Sequence, residues 1–164
     1  MILLNITSDK ALMSSLLMGD VFDIFLLEEA SVTASVTYSV DGHINRDFYE
    51  NEEIPEESVY EFKPWSEVKA FFFEIIKGKR APLGFKFVFI LKPNTMNALM
   101  ERELPEADLS ALKALILTIR NDGTHTTVTT GTSYSTFVMD KEPEKIWDNT
   151  VRKYFSDKEI PFEN

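Results

Sequence analysis

Apolar positions along this chain change their spacing several times, and each change predicts an element. Met1–Ile6 is a short apolar run closed by Thr7-Ser8, the pattern of a strand that stops at a helix cap. Leu12, Met13, Leu16 and Leu17 then fall at helical spacing, with Thr7 or Ser8 as N-cap and Gly19 as the expected left-handed stop. From Phe22 to Tyr49 the pattern turns to strand: Phe25, Leu26 and Leu27 are apolar, and Val32, Val36, Tyr38 and Val40 keep a period of two. Asp41-Gly42 follows directly, with Ile44, Phe48 and Tyr49 beyond it. This dipeptide predicts the tight turn of a first β-hairpin, because glycine accepts the positive φ such turns need.

Asp47–Glu61 holds seven acids and one proline, so it repels itself and reads as an exposed loop over about 47–61. Pro64 opens a helix in which Trp65, Val68, Phe72, Ile75 and Ile76 share a face, and Lys77-Gly78-Lys79-Arg80 ends it. In Leu83–Leu91 the residues Phe85, Phe87 and Phe89 alternate with Lys86, Val88 and Ile90. That pattern predicts a central strand covered on both sides for part of its length. Asn94–Arg102 reads as a short helix. Ala111–Arg120, Asn121-Asp122-Gly123 and the threonine-rich run to Thr130 predict the second hairpin. Gly131-Thr132-Ser133 is expected to turn the chain into a third strand, Tyr134–Met139. Pro143 opens the last helix at the N1 position, with Ile146, Trp147, Val151, Tyr154 and Phe155 on its apolar face. Ile160 and Phe162 then fold back onto the body.

The resulting order predicts a single globular α+β domain over 1–164. It has a mainly antiparallel sheet with two β-hairpins and three to four helices packed on it. No βαβ unit carries a glycine-rich phosphate loop, so a doubly wound parallel fold is not expected. The order up to Thr130 also resembles one domain of a DNA sliding clamp, where a helix leads into a strand meander twice. A clamp sets basic helices against DNA, whereas the first helix here carries only Lys10.

Composition narrows the function classes. Of 164 residues, 17 are basic and 27 acidic, for a net charge of −10, which opposes nonspecific contact with nucleic acid or anionic lipid. Cysteine is absent, which removes disulfides, thiol nucleophiles and cysteine metal sites together. The N-terminus lacks the basic region and long apolar run of a signal peptide, and no stretch has the length to span a bilayer. A cytoplasmic protein with no membrane partner is expected.

Candidate chemistry is sparse. His43 and His125 each follow the glycine of an expected turn, and no metal-ligand spacing surrounds them, so no metal and no cofactor are expected. A nucleophile elbow is missing too. Glu28-Glu29 at the end of an apolar strand should face opposite ways, setting one carboxylate toward the core or a cleft edge. The basic cluster Lys77, Lys79 and Arg80, with Lys86 on the adjoining strand and His43 as a further member, is the best candidate for an anion site. Arg80 offers a planar fork for it. The same cations would equally satisfy the helix dipole and the acidic loop at Glu52–Glu57. The Thr126–Thr130 run, if it lay at the sheet edge, would offer backbone to another chain.

Four segments carry a resemblance: Phe22–Ala30, Val40–Ile44, Ile76–Leu83 with Phe85–Phe89, and Thr130–Ser133. Together they resemble an uncharacterised family of small cytoplasmic proteins from anaerobic Gram-positive bacteria, a domain of unknown function. The resemblance implies a bacterial single-domain protein and brings no activity, cofactor or catalytic residue; Asn51–Glu57 departs from its pattern. The functional expectation is therefore a noncatalytic binding or interaction module, self-associating through a sheet edge as a homo-oligomer. The alternatives are a small enzyme or sensor for an anionic metabolite at the basic cluster, and a clamp-like nucleic-acid-associated protein.

Overall fold

The computed structural model describes residues 1–49 and 60–164. In chain order the elements are β1 (Leu3–Ile6), α1 (Asp9–Leu17), β2 (Phe25–Thr33), β3 (Thr37–Asp41), a 3₁₀ turn (Arg46–Tyr49), β4 (Lys63–Pro64) and α2 (Trp65–Ile76). They continue as β5 (Gly84–Leu91), α3 (Pro93–Glu103), β6 (Leu112–Asn121), β7 (Thr126–Tyr134), α4 (Glu142–Asp157) and β8 (Phe162–Glu163). The fold is α+β: all strands join one antiparallel open sheet in the order β3-β2-β5-β6-β7-β1-β8, with β4 beside β3 on the same edge of β2.

Alternation along β5 organises the core. Phe85, Phe87, Phe89 and Leu91 face one side, and Val32, Ala30, Leu27 and Phe25 of β2 lie opposite them. All four helices pack on that side, contributing Leu12 and Leu16, Trp65 and Phe72, Met96 and Leu99, and Trp147 and Phe155 to the same cluster. Trp65 meets Phe72, Phe87 and Phe89 with ring centroids 5.1–5.4 Å apart, and its Nε1 donates to the Leu16 carbonyl at 2.9 Å. Among the described residues the opposite face carries no α-helix. There Leu26, Val88 and Ile90 are buried near one end, so the second cover expected for part of β5 is present.

Several local expectations are replaced. Ser8 does cap α1, accepting from the Ala11 N–H at 3.2 Å, but Gly19 takes no positive φ. The N–H groups of Met18 and Gly19 both bond the Ser14 carbonyl, so the chain leaves α1 by further right-handed turns. The Gly19 carbonyl is satisfied by Lys69 Nζ at 2.8 Å. The first hairpin exists, but it joins β2 to β3 at Ala34–Val36 rather than at Asp41-Gly42. The second hairpin turns where expected, with Gly123 at φ 99°. No separate strand forms over Tyr134–Met139: β6 is long enough to pair β7 from Thr126 to Tyr134, and Gly131 sits inside the ladder opposite Ile116. Beyond it Phe137 and Met139 are exposed. The threonine-rich strand is interior, held between β6 and β1, so it offers no edge.

Candidate functional site

The face opposite the four α-helices holds a wide-mouthed cleft of about 630 Å³ along β2 and β3. Its shape follows from two local irregularities. Opposite β5, β2 carries an extra residue at Glu28, since Leu27 pairs Phe89 and Glu29 pairs Val88. At the same level β3 gives way to β4, and Gly42 presses on the β2 backbone. A Cβ at Gly42 would lie 1.8 Å from the Leu27 carbonyl oxygen. Here the glycine serves close approach instead of turn geometry. Its N–H donates to the Glu28 carbonyl at 2.8 Å, and its own carbonyl accepts from Lys63 N at 2.9 Å. His43 and Phe62 then pair across the base of the excursion between the two strands.

The bulge also breaks the alternation expected of Glu28-Glu29, and both carboxylates border the cleft. Asp41, Ser39 and Ser31 line its floor, and the His43 and Phe62 rings meet edge to face at 5.7 Å on one wall. Lys86 Nζ lies 3.2 Å from Glu29 Oε1, and His43 Nε2 lies 3.8 Å from Glu61 Oε1. Asp41 Oδ1 accepts the His43 backbone N–H at 2.9 Å. Burial raises the pKa of Glu28 above the ordinary carboxylate value, and the neighbouring charges of Glu29 and Glu61 push in the same direction. The lining therefore holds three carboxylates against Lys86, with His43 at the rim.

Of the sequence-predicted anion site, this cleft gathers only Lys86 and His43. Lys77, Lys79 and Arg80 are exposed beyond α2 and do not line it. Lys77, which caps the C-terminus of α2, pairs with Glu74 in the last turn at 2.5 Å, and Gly78 follows at φ 134°. The acidic partner considered for them, Glu52–Glu57, lies outside the described residues. His125 belongs to the β6–β7 turn and shares no pocket with His43. There the Asp122 carboxylate accepts the backbone N–H groups of His125 and Thr124 and the Thr124 hydroxyl, which pull its pKa down to about 2.

Among the described residues, no three His, Asp or Glu side chains are grouped to hold a metal ion, and no hydrogen bond joins His43 to Ser31 or Ser39. No described helix is long and apolar enough to cross a membrane. Sequence reasoning missed Asp41, Ser39 and Phe62. The signal for this neighbourhood was the Asp41-Gly42 pair, whose glycine marks a backbone crossing. Beside the cleft, β3 pairs only with β2 among the described residues, and Thr37, Tyr38, Ser39 and Asp41 are exposed.

No curated protein and no solved structure matches this chain. The model of the "Family of unknown function (DUF5721)" matches residues 15–163, nearly the whole chain. With β2, β3, the Glu28 bulge and the cleft all inside that match, the chain belongs to this family of unknown function.

Proposed function

We propose that this protein is a noncatalytic binding module that takes a β-strand along the free edge of β3, and that a second copy of the chain supplies it. The observation that supports this reading is an edge that carries no second strand among the described residues. Natural edge strands are blunted by lysine, proline, bulges or brevity. β3 instead reads Thr-Tyr-Ser-Val-Asp, with no lysine, proline or register shift against β2. The bonds Ala34 N to Val36 O (2.9 Å) and Gly42 N to Glu28 O (2.8 Å) fix the alternation of this antiparallel pair. Tyr38 and Val40 thereby direct their backbone groups toward β2, while Thr37, Ser39 and Asp41 direct theirs outward.

A twofold antiparallel pairing centred on Ser39 sets Thr37 of one copy opposite Asp41 of the other, and Tyr38 opposite Val40. No like charges then face each other. The two sheets become continuous, with both clefts on one face flanking the dyad. Size-exclusion chromatography with light scattering tests the pairing: a dimer is expected, and Ser39→Pro, which deletes an outward N–H, converts it to monomer. A wild-type monomer at high concentration overturns self-pairing.

The anionic-metabolite reading draws less support from this cleft: of its four cations only Lys86 lines it, beside the acidic Glu28, Glu29 and Asp41.

A further inference from the structure

A second cavity, independent of the β3 edge, lies on the helical side between α3 and α4. It encloses about 320 Å³, near the lower end of small-ligand pockets. Its walls are Phe25, Leu91, Leu99, Trp147, Val151 and Phe155, all buried side chains from two strands and two helices. Arg102, Thr150 and Tyr154 border this cavity and also border a polar cleft of about 340 Å³, so the two adjoin along these three residues.

The polar end offers donors. Tyr154 Oη already donates to the Val21 carbonyl at 2.5 Å, and Thr150 Oγ1 to the Ile146 carbonyl at 2.7 Å. Arg102 is engaged by Glu103 only through Nε (3.1 Å), and its terminal nitrogens make no hydrogen bond among the described residues. The same holds for Lys153 Nζ, and Asn149 accepts from Arg152 through Oδ1 while its amide nitrogen stays unused among the described residues. Asp157 and Glu103 are the acids at this end. An apolar cavity with Arg102 on its border and further unused N–H donors in the adjoining cleft suits a molecule with one apolar body and one acceptor head. We infer that the α3–α4 cavity binds a small amphipathic carboxylate, its chain between Leu99 and Val151 and its head on the Arg102 terminal nitrogens and Lys153.

The test titrates decanoate, below its micelle concentration, and decan-1-ol into the full-length protein by calorimetry. Saturable one-site binding of decanoate is expected, with decanol weaker and Arg102→Ala costing about tenfold for decanoate but little for decanol. Ala98→Phe, at an exposed position on the cavity rim, should block both ligands. Because a variant can misfold, amide chemical shifts of the wild-type protein provide the second measurement. Changes induced by decanoate must centre on Leu99, Trp147 and Val151. Shifts centred elsewhere, no saturable binding, or equal affinity for decanoate and decanol would overturn the assignment. So would a groove occupied instead by a second copy, seen as dimerisation that Ala98→Phe abolishes.

Discussion

Replacing Gly42 with alanine probes the junction on which both the cleft and the β3 edge depend. The added methyl would lie 1.8 Å from the Leu27 carbonyl oxygen and 2.7 Å from its carbon, where real Cβ contacts stay above 3.0 Å. Relief therefore requires a shift of at least 1.2 Å (3.0 minus 1.8) between two backbones. The shift strains the Gly42 N–Glu28 O and Lys63 N–Gly42 O bonds, each worth about 1 kcal/mol. Overpacking adds about 1–3 kcal/mol, so the total is about 3–5 kcal/mol. For a chain of this size that corresponds to a fall in Tm of roughly 10 °C. Thermal unfolding followed by circular dichroism reads it directly. Gly19→Ala is the paired control: its Cβ meets nothing closer than 3.6 Å and its φ is not positive, so Tm should move by about 2 °C or less. A Gly42→Ala protein melting with the wild type, or a Gly19→Ala protein melting well below it, would refute the reasoning.

Three further outcomes are expected. Glu28→Gln should raise Tm at pH 7, because a folded pKa above 4.5 means that the ionised carboxylate opposes folding. The advantage should shrink as pH falls through the folded pKa and be gone below 4.5, and a gain that grows on acidification contradicts it. Asp122→Asn should lower Tm at neutral pH. Its depressed pKa stabilises the fold above 3.8, and that contribution is lost as pH falls toward about 2, so the two proteins should converge in acid. Trp65→Phe should cost about 2 kcal/mol in urea unfolding through a cavity and the lost bond to the Leu16 carbonyl, whereas Phe137→Ser, on an exposed side chain, should be neutral.

The sequence carried the elements well because strong periodicities survive packing. The Phe85–Phe89 alternation and the α2 face through Trp65 and Phe72 stand as their spacing suggests, and α4 starts one residue before Pro143, which takes its second position. Gly42 and Gly131 have the local signature of turn residues, yet a glycine can mark a close approach or a ladder position with the same signature. Only the tertiary neighbour, Leu27 for Gly42 and Ile116 for Gly131, decides between them. The cleft was half legible: Glu28, Glu29, His43 and Lys86 stood out as residues. Their meeting depends on a bulge and on β4 returning beside β3, and neither leaves a local pattern. Lys77, Lys79 and Arg80 lie near Lys86 in sequence, but α2 packs on the helical side of the sheet, whereas Lys86 faces the open side.

The claim that β3 is the binding edge is tested most directly by amide hydrogen exchange of its five residues in dilute and in concentrated solution. Tyr38 and Val40, bonded to β2, should be protected in both. Thr37, Ser39 and Asp41 should exchange freely when dilute and gain protection as concentration rises, and Ser39→Pro should abolish the gain at Thr37 and Asp41. Exchange at Thr37, Ser39 and Asp41 that ignores concentration would contradict the account.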